Sequence, residues 1–113
     1  MECISFGAAL EAAKTGGRIA RQGWNGKGMF VFMRPADELP IDMVIDKVKS
    51  LPQSVKDYYK QDVTDESGNR LPIDENDKVK FTAYLCMKAA DGSIVNGWLA
   101  SQTDMLTNDW VVL

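Results

Sequence analysis

The sequence predicts an α+β domain: a small antiparallel sheet of about five strands, an N-terminal helix and an inserted helical segment. Three observations carry this expectation. Phe6, Ala9, Leu10 and Ala13 repeat at helical spacing and stop at Gly16-Gly17. Val79 to Met87 alternates, with Phe81, Ala83, Leu85 and Met87 on one face. From about residue 36 to 77 the texture changes, as helically spaced apolar residues give way to a polar, turn-rich stretch.

Residues 5–15 read as a short amphipathic helix with Ser5 as N-cap and the two glycines as its stop. Its apolar stripe needs a sheet to cover. Arg18-Ile19-Ala20-Arg21 is a brief strand, and Met29-Phe30-Val31-Phe32-Met33 is a continuous apolar run. Such a run calls for cover on both faces, from the helix on one and from another subunit on the other. Between them Asn25-Gly26 supplies residues that tolerate positive φ in a hairpin turn. Ile41, Val44, Ile45, Val48 and Leu51 keep helical spacing, and Ser50-Leu51-Pro52-Gln53 resembles a capping box opening a second helix through Val55, Tyr58 and Tyr59. Asp65-Glu66-Ser67-Gly68-Asn69 has the acidity of a calcium loop, but its glycine spacing misses the EF-hand pattern, so no metal is expected there. Val79–Met87 is the clearest strand, turned by Ala90-Asp91-Gly92-Ser93 into a partner that ends near Trp98-Leu99-Ala100. Ser101-x-x-Asp104 has the form of a helix start, followed by a terminal strand over residues 109–113. One domain is expected over residues 1–113, with an insertion at about 36–77.

Composition narrows the function. A formal charge of −3 argues against a nonspecific grip on a DNA or RNA polymer, which needs a broad basic surface to displace counterions. No apolar run approaches the roughly 20 residues that span a bilayer, and Met1-Glu2-Cys3 lacks the basic and apolar regions of a signal peptide. A cytoplasmic protein with no membrane partner is therefore expected. Cys3 and Cys86 form no Cys-x-x-Cys pattern and read as reduced thiols. Histidine is absent, which removes the commonest general base and the commonest zinc ligand. No catalytic residue, metal or cofactor is assigned.

All three tryptophans keep polar or glycine-rich company. Trp24 lies in Gly23-Trp24-Asn25-Gly26-Lys27-Gly28, Trp98 opens Trp98-Leu99-Ala100-Ser101-Gln102-Thr103-Asp104, and Trp110 follows Asp109. An indole offers a large apolar face and one donor, so it stacks on a planar ligand as readily as it fills a core. The first motif is not a Walker loop, since Gly26-Lys27 is followed by Gly28 and leads into a strand. In a ligand site, Trp24, Phe30, Trp98 and Trp110 would supply faces, and Arg21 and Lys27 would meet phosphates. Asn25, Ser101, Gln102, Thr103 and Asp104 would read sugar or base edges, and Gly26 is among the glycines that let backbone N–H groups approach an anion. Trp24 and Asp104 are the first choices. Trp98 and Trp110 suit sheet core equally well, and Met29 suits interface packing ahead of ligand contact.

These residues resemble a family. Phe6-Gly7-Ala8-Ala9-Leu10, the run from Ala20 to Phe30, Asp91-Gly92, the run from Trp98 to Leu106 and Asp109-Trp110-Val111-Val112 are similar, in order and wording, to the second type of Thoeris anti-defence protein of phages and prophages. The resemblance covers both ends of the chain and leaves residues 36–77 outside it. It implies a noncatalytic sponge that sequesters cyclic nucleotide alarm signals, with glycocyclic ADP-ribose and CBASS cyclic oligonucleotides as ligand classes. It also implies a homotetramer with pockets between subunits. A cyclic-nucleotide-degrading enzyme and a noncatalytic protein-interaction module are the alternatives.

Overall fold

Ser5 starts the chain's first helix as its residue type predicts. In the computed structural model, which describes residues 2–24, 28–74 and 76–113, helix α1 spans Phe6–Lys14 and the Ser5 side chain accepts from the Ala8 N–H. The helix ends where Gly16 takes φ +99°. A Cβ on Gly17 would sit 2.9 Å from the Ala12 carbonyl oxygen, so the chain can leave the helix this tightly only without one. The expected turn residues Asn25 and Gly26 lie outside the described residues, as does Lys27.

The chain divides into two compact units, residues 1–35 with 83–113, and Ala36–Thr82. In the first, strands β1 (Ile19–Arg21) and β2 (Phe30–Arg34) enter a five-stranded antiparallel sheet with β5 (Tyr84–Lys88), β6 (Ile94–Asn96) and β7 (Trp110–Val112). Its order is β6-β5-β2-β1-β7, so the last strand pairs with the first. Ile19 stands opposite Val31 on one side and Val112 on the other. Alternation along these strands puts Ile19, Arg21, Val31 and Trp110 on the face covered by α1. Ala9, Ala13, Ile19, Val31 and Trp110 are fully buried together there. Each large side chain so enclosed contributes about 1.5–3 kcal/mol.

Phe30 and Phe32 fall on the opposite face. They are partly exposed, tilted at 6.0 Å between ring centroids, and the Arg18 guanidinium stacks 5.2 Å over the Phe30 ring. A cavity of about 340 Å³ opens there, lined by Arg18, Phe30, Phe32, Met33 and Ile94 among others. The sheet of about five strands and the N-terminal helix agree with the α+β expectation.

The second unit contains strands as well as the expected helices. β3 (Asp37–Pro40) and β4 (Lys78–Phe81) form a two-stranded sheet, joined by helices α2 (Ile41–Asp46) and α3 (Gln53–Asp62). The single strand expected over residues 79–87 is thus two strands in two sheets, parted at Thr82-Ala83. Pairing explains the split: Glu38 stands opposite Lys80 and Leu39 opposite Val79, so β4 finds its partner far upstream rather than continuing into β5. α3 starts behind Pro52 with no side-chain cap, two residues after the serine expected to cap it. Proline suits a helix start because the first turn's N–H groups lack intrahelical partners anyway. Ile41, Ile45 and Val63 form this unit's core, with Tyr59, Ile73 and Val79 packed against it. In the polar stretch, Asp65 folds its carboxylate onto the Ser67 and Asn69 N–H groups at 2.9 and 2.8 Å, the geometry of a turn. Among the described residues no helix is long and apolar enough to cross a membrane.

Candidate functional site

Three indoles from distant stretches meet at one end of the first unit. Trp24 closes the short 3₁₀ turn Gln22–Trp24 after β1, Trp98 follows β6, and Trp110 begins β7. Their rings stand nearly perpendicular: Trp24 to Trp98 at 6.3 Å and 82°, Trp24 to Trp110 at 5.4 Å and 76°, Trp98 to Trp110 at 6.2 Å and 74°. Edge-to-face contact sets the positive rim of one ring against the negative face of the next. Trp24 and Trp98 are half-buried, so each keeps accessible surface. Trp110 is 0% exposed. The stacking face expected of it is therefore enclosed between Phe6 at 5.2 Å and the other two indoles, and the ring serves as the base of the cluster.

A five-residue helix, α4 (Gln102–Leu106), borders the cluster. Ser101 and Asp104 form the expected capping box: the Ser101 hydroxyl accepts from the Asp104 N–H at 3.0 Å, and the Asp104 carboxylate accepts from the Ser101 N–H at 2.9 Å. The Trp110 Nε1–H donates to the Asp104 carbonyl oxygen at 2.7 Å, which ties the buried indole to the helix.

Arg21 joins the same network. Its Nε and Nη2 donate to the two oxygens of Asp109 at 3.0 and 3.2 Å, and its Nη1 donates to Asp104 at 3.0 Å. The phosphate contact expected of Arg21 is thus replaced by two carboxylates, which match a guanidinium fork in charge and geometry. One cation against two anions leaves this cluster net negative. Hydrogen bonding from Arg21 holds the Asp109 carboxyl below its ordinary range. For Asp104 burial pushes upward, but hydrogen bonds from Ser101 and Arg21 outweigh it and hold the carboxyl low. Both partners keep Arg21 firmly charged, with the hydrogen bond to Asp109 the larger cause.

The remaining expected residues divide. Ser101, Gln102 and Thr103 are exposed around the first turn of α4. Met29 is half-buried just before β2. Phe30 lies on the other face of the sheet from Trp110 and so does not join the tryptophan cluster. Asn25, Gly26 and Lys27 lie outside the described residues. Asp109 was not among the expected site residues, although it holds two of the three Arg21 contacts. The available signal was charge pairing, one arginine in a tryptophan-flanked motif and two aspartates in another. Chemically, the arrangement offers two aromatic surfaces, exposed hydroxyl and amide side chains, and carboxylates suited to accepting hydroxyl or amino donors.

Comparison with known proteins adds two findings. A family model described as Tad2-like, Thoeris anti-defense 2-like domain, matches residues 4–113, through the 36–77 segment as well as both ends. The chain is 32% identical over 110 residues to Thoeris anti-defense 2 of Bacillus phage SP01, an alignment spanning 97% of this chain and 94% of that relative.

Proposed function

The chain belongs to the Thoeris anti-defense 2-like family, and from that membership we propose that it is a phage anti-defence sponge that binds cyclic nucleotide immune signals and releases them uncleaved. The ligand classes are glycocyclic ADP-ribose of Thoeris and cyclic oligonucleotides of CBASS, met in the cytoplasm of the infected host. The observation that carries this reading is the convergence of Trp24 and Trp98, both partly exposed, on Trp110, whose indole N–H donates to the Asp104 carbonyl oxygen of α4. Stacking on an aromatic ring contributes about 1–3 kcal/mol per base. Arg21 is engaged by carboxylates, and Lys27, which lies outside the described residues, is the other cation proposed to meet a phosphate.

A sponge does not turn over, so it depends on affinity and copy number. Holding a signal at nanomolar concentration requires about −12 kcal/mol, and enclosing the ligand between subunits supplies more contact than a shallow groove on one small chain. Leu99 at 89% and Leu106 at 79% exposure support self-association, as large apolar side chains concentrated on one stretch favour burial against a partner. We assign the assembly as a homotetramer.

The direct test incubates the protein with glycocyclic ADP-ribose, denatures it and separates the supernatant by HPLC. Intact ligand released on denaturation is expected. A converted product would instead identify a degrading enzyme, and absence of any retention or thermal shift across a nucleotide panel would favour a protein-interaction module.

A further inference from the structure

We propose that Asp109 is a positioning residue of the binding site: acting through Arg21, it sets the Asp104 carboxylate and thereby holds α4 against the tryptophan cluster. This rests on the sponge reading for its ligand, and on the hydrogen-bond geometry for its mechanism.

A helix of five residues cannot hold its own place, because forming the first turn fixes several residues for one hydrogen bond. Its position must come from tertiary contacts. The contacts run in one chain of short, directional bonds. Asp109 grips Arg21 through both carboxylate oxygens, at 3.0 and 3.2 Å, which fixes the plane of the guanidinium as a single contact would not. The third arm of that plane, Nη1, donates to Asp104 at 3.0 Å. The other Asp104 oxygen accepts from the Ser101 N–H, and its backbone carbonyl accepts from the Trp110 indole. Asp109 is itself anchored, since its carbonyl oxygen accepts from the Gln22 N–H at 2.8 Å, two residues before Trp24.

This is not an ordinary surface ion pair. Side-chain exposure is 21% for Arg21, 16% for Asp104 and 32% for Asp109, so solvent competes weakly for the fork. A lysine would keep the charge but supplies one point charge in place of a planar fork, and so could not orient both carboxylates. The ligand-facing consequence is that Gln102 and Thr103, exposed on the first turn of α4, take their place from a residue that need not touch the ligand.

The experiment compares wild type with Asp109→Asn and Arg21→Lys by calorimetry with glycocyclic ADP-ribose, well below the melting temperature, and by the Trp110 indole N–H resonance of the ligand-free proteins. In each folded variant the resonance should move, and affinity should weaken by about tenfold, equivalent to about 1.4 kcal/mol. If Asp109→Asn does not fold, Arg21→Lys carries the test. An unmoved indole resonance overturns the proposal, whether affinity holds or falls, since a fall would then mean direct ligand contact. A moved resonance with unchanged affinity overturns it too, by reducing the network to structural support. Failure of wild type to bind this probe or any member of the nucleotide panel defeats the sponge reading instead, and the indole resonance then decides alone whether the fork positions α4.

Discussion

Trp24 and Trp110 touch edge to face at 5.4 Å, yet one keeps accessible surface and the other keeps none. That difference assigns them different work. Trp24→Ala removes a stacking surface and two edge contacts while leaving the fully buried base of the cluster in place. Affinity for glycocyclic ADP-ribose is expected to fall by about 1–3 kcal/mol, the range for loss of one stacked base, while the circular dichroism spectrum stays folded. An unchanged calorimetric affinity would remove stacking at Trp24 from the account. At this scale the residue types were legible and their environments were not. An indole's sequence neighbours say little about what packs over it, so Trp110 read equally as face and as core. Arg21 read as a phosphate ligand because its two carboxylate partners lie 83 and 88 residues away.

Among the elements, α1 and α4 were the most legible, because a cap is a contact across three residues and depends on little else. Ser5 and Ser101 both accept from the N–H three residues on. Ser101→Ala is expected to lower stability by about 0.5–2 kcal/mol, read as a lower urea midpoint with the denaturant slope unchanged. An unaltered midpoint would show that tertiary contacts alone hold α4. Strand β3 was hidden for the opposite reason. Asp37–Pro40 offers two charges and a proline rather than apolar alternation, and its stability comes from pairing with residues about forty positions later. Lys80 and Glu38 approach to 3.8 Å, an exposed pair that guides register more than it adds energy.

For the whole molecule, the Arg21 fork makes a prediction about acid. Asp104 and Asp109 have carboxyls held below their ordinary range in the folded state. Their contribution to stability is present above the unfolded-state value of about 3.9 and is lost as pH falls through the lower folded values. Urea midpoints should therefore hold level for these groups from neutral pH to about pH 4 and decline below it. A midpoint that rises on acidification would contradict the fork. Assembly is tested separately by light scattering at micromolar concentration. A mass of four chains is expected, and a monomer mass would remove the homotetramer and with it the pocket between subunits.

Sequence by itself determined the α+β class, both capped helices, the absence of histidine chemistry and the motifs shared with a family, because each depends on residue type and short spacing. Tertiary structure alone decided that β4 and β5 part into different sheets, that Arg21 is held by Asp104 and Asp109, and that two indoles rather than three keep open surface. Those outcomes are set by partners tens of residues away, where burial and pairing compete and no local pattern records which one prevails.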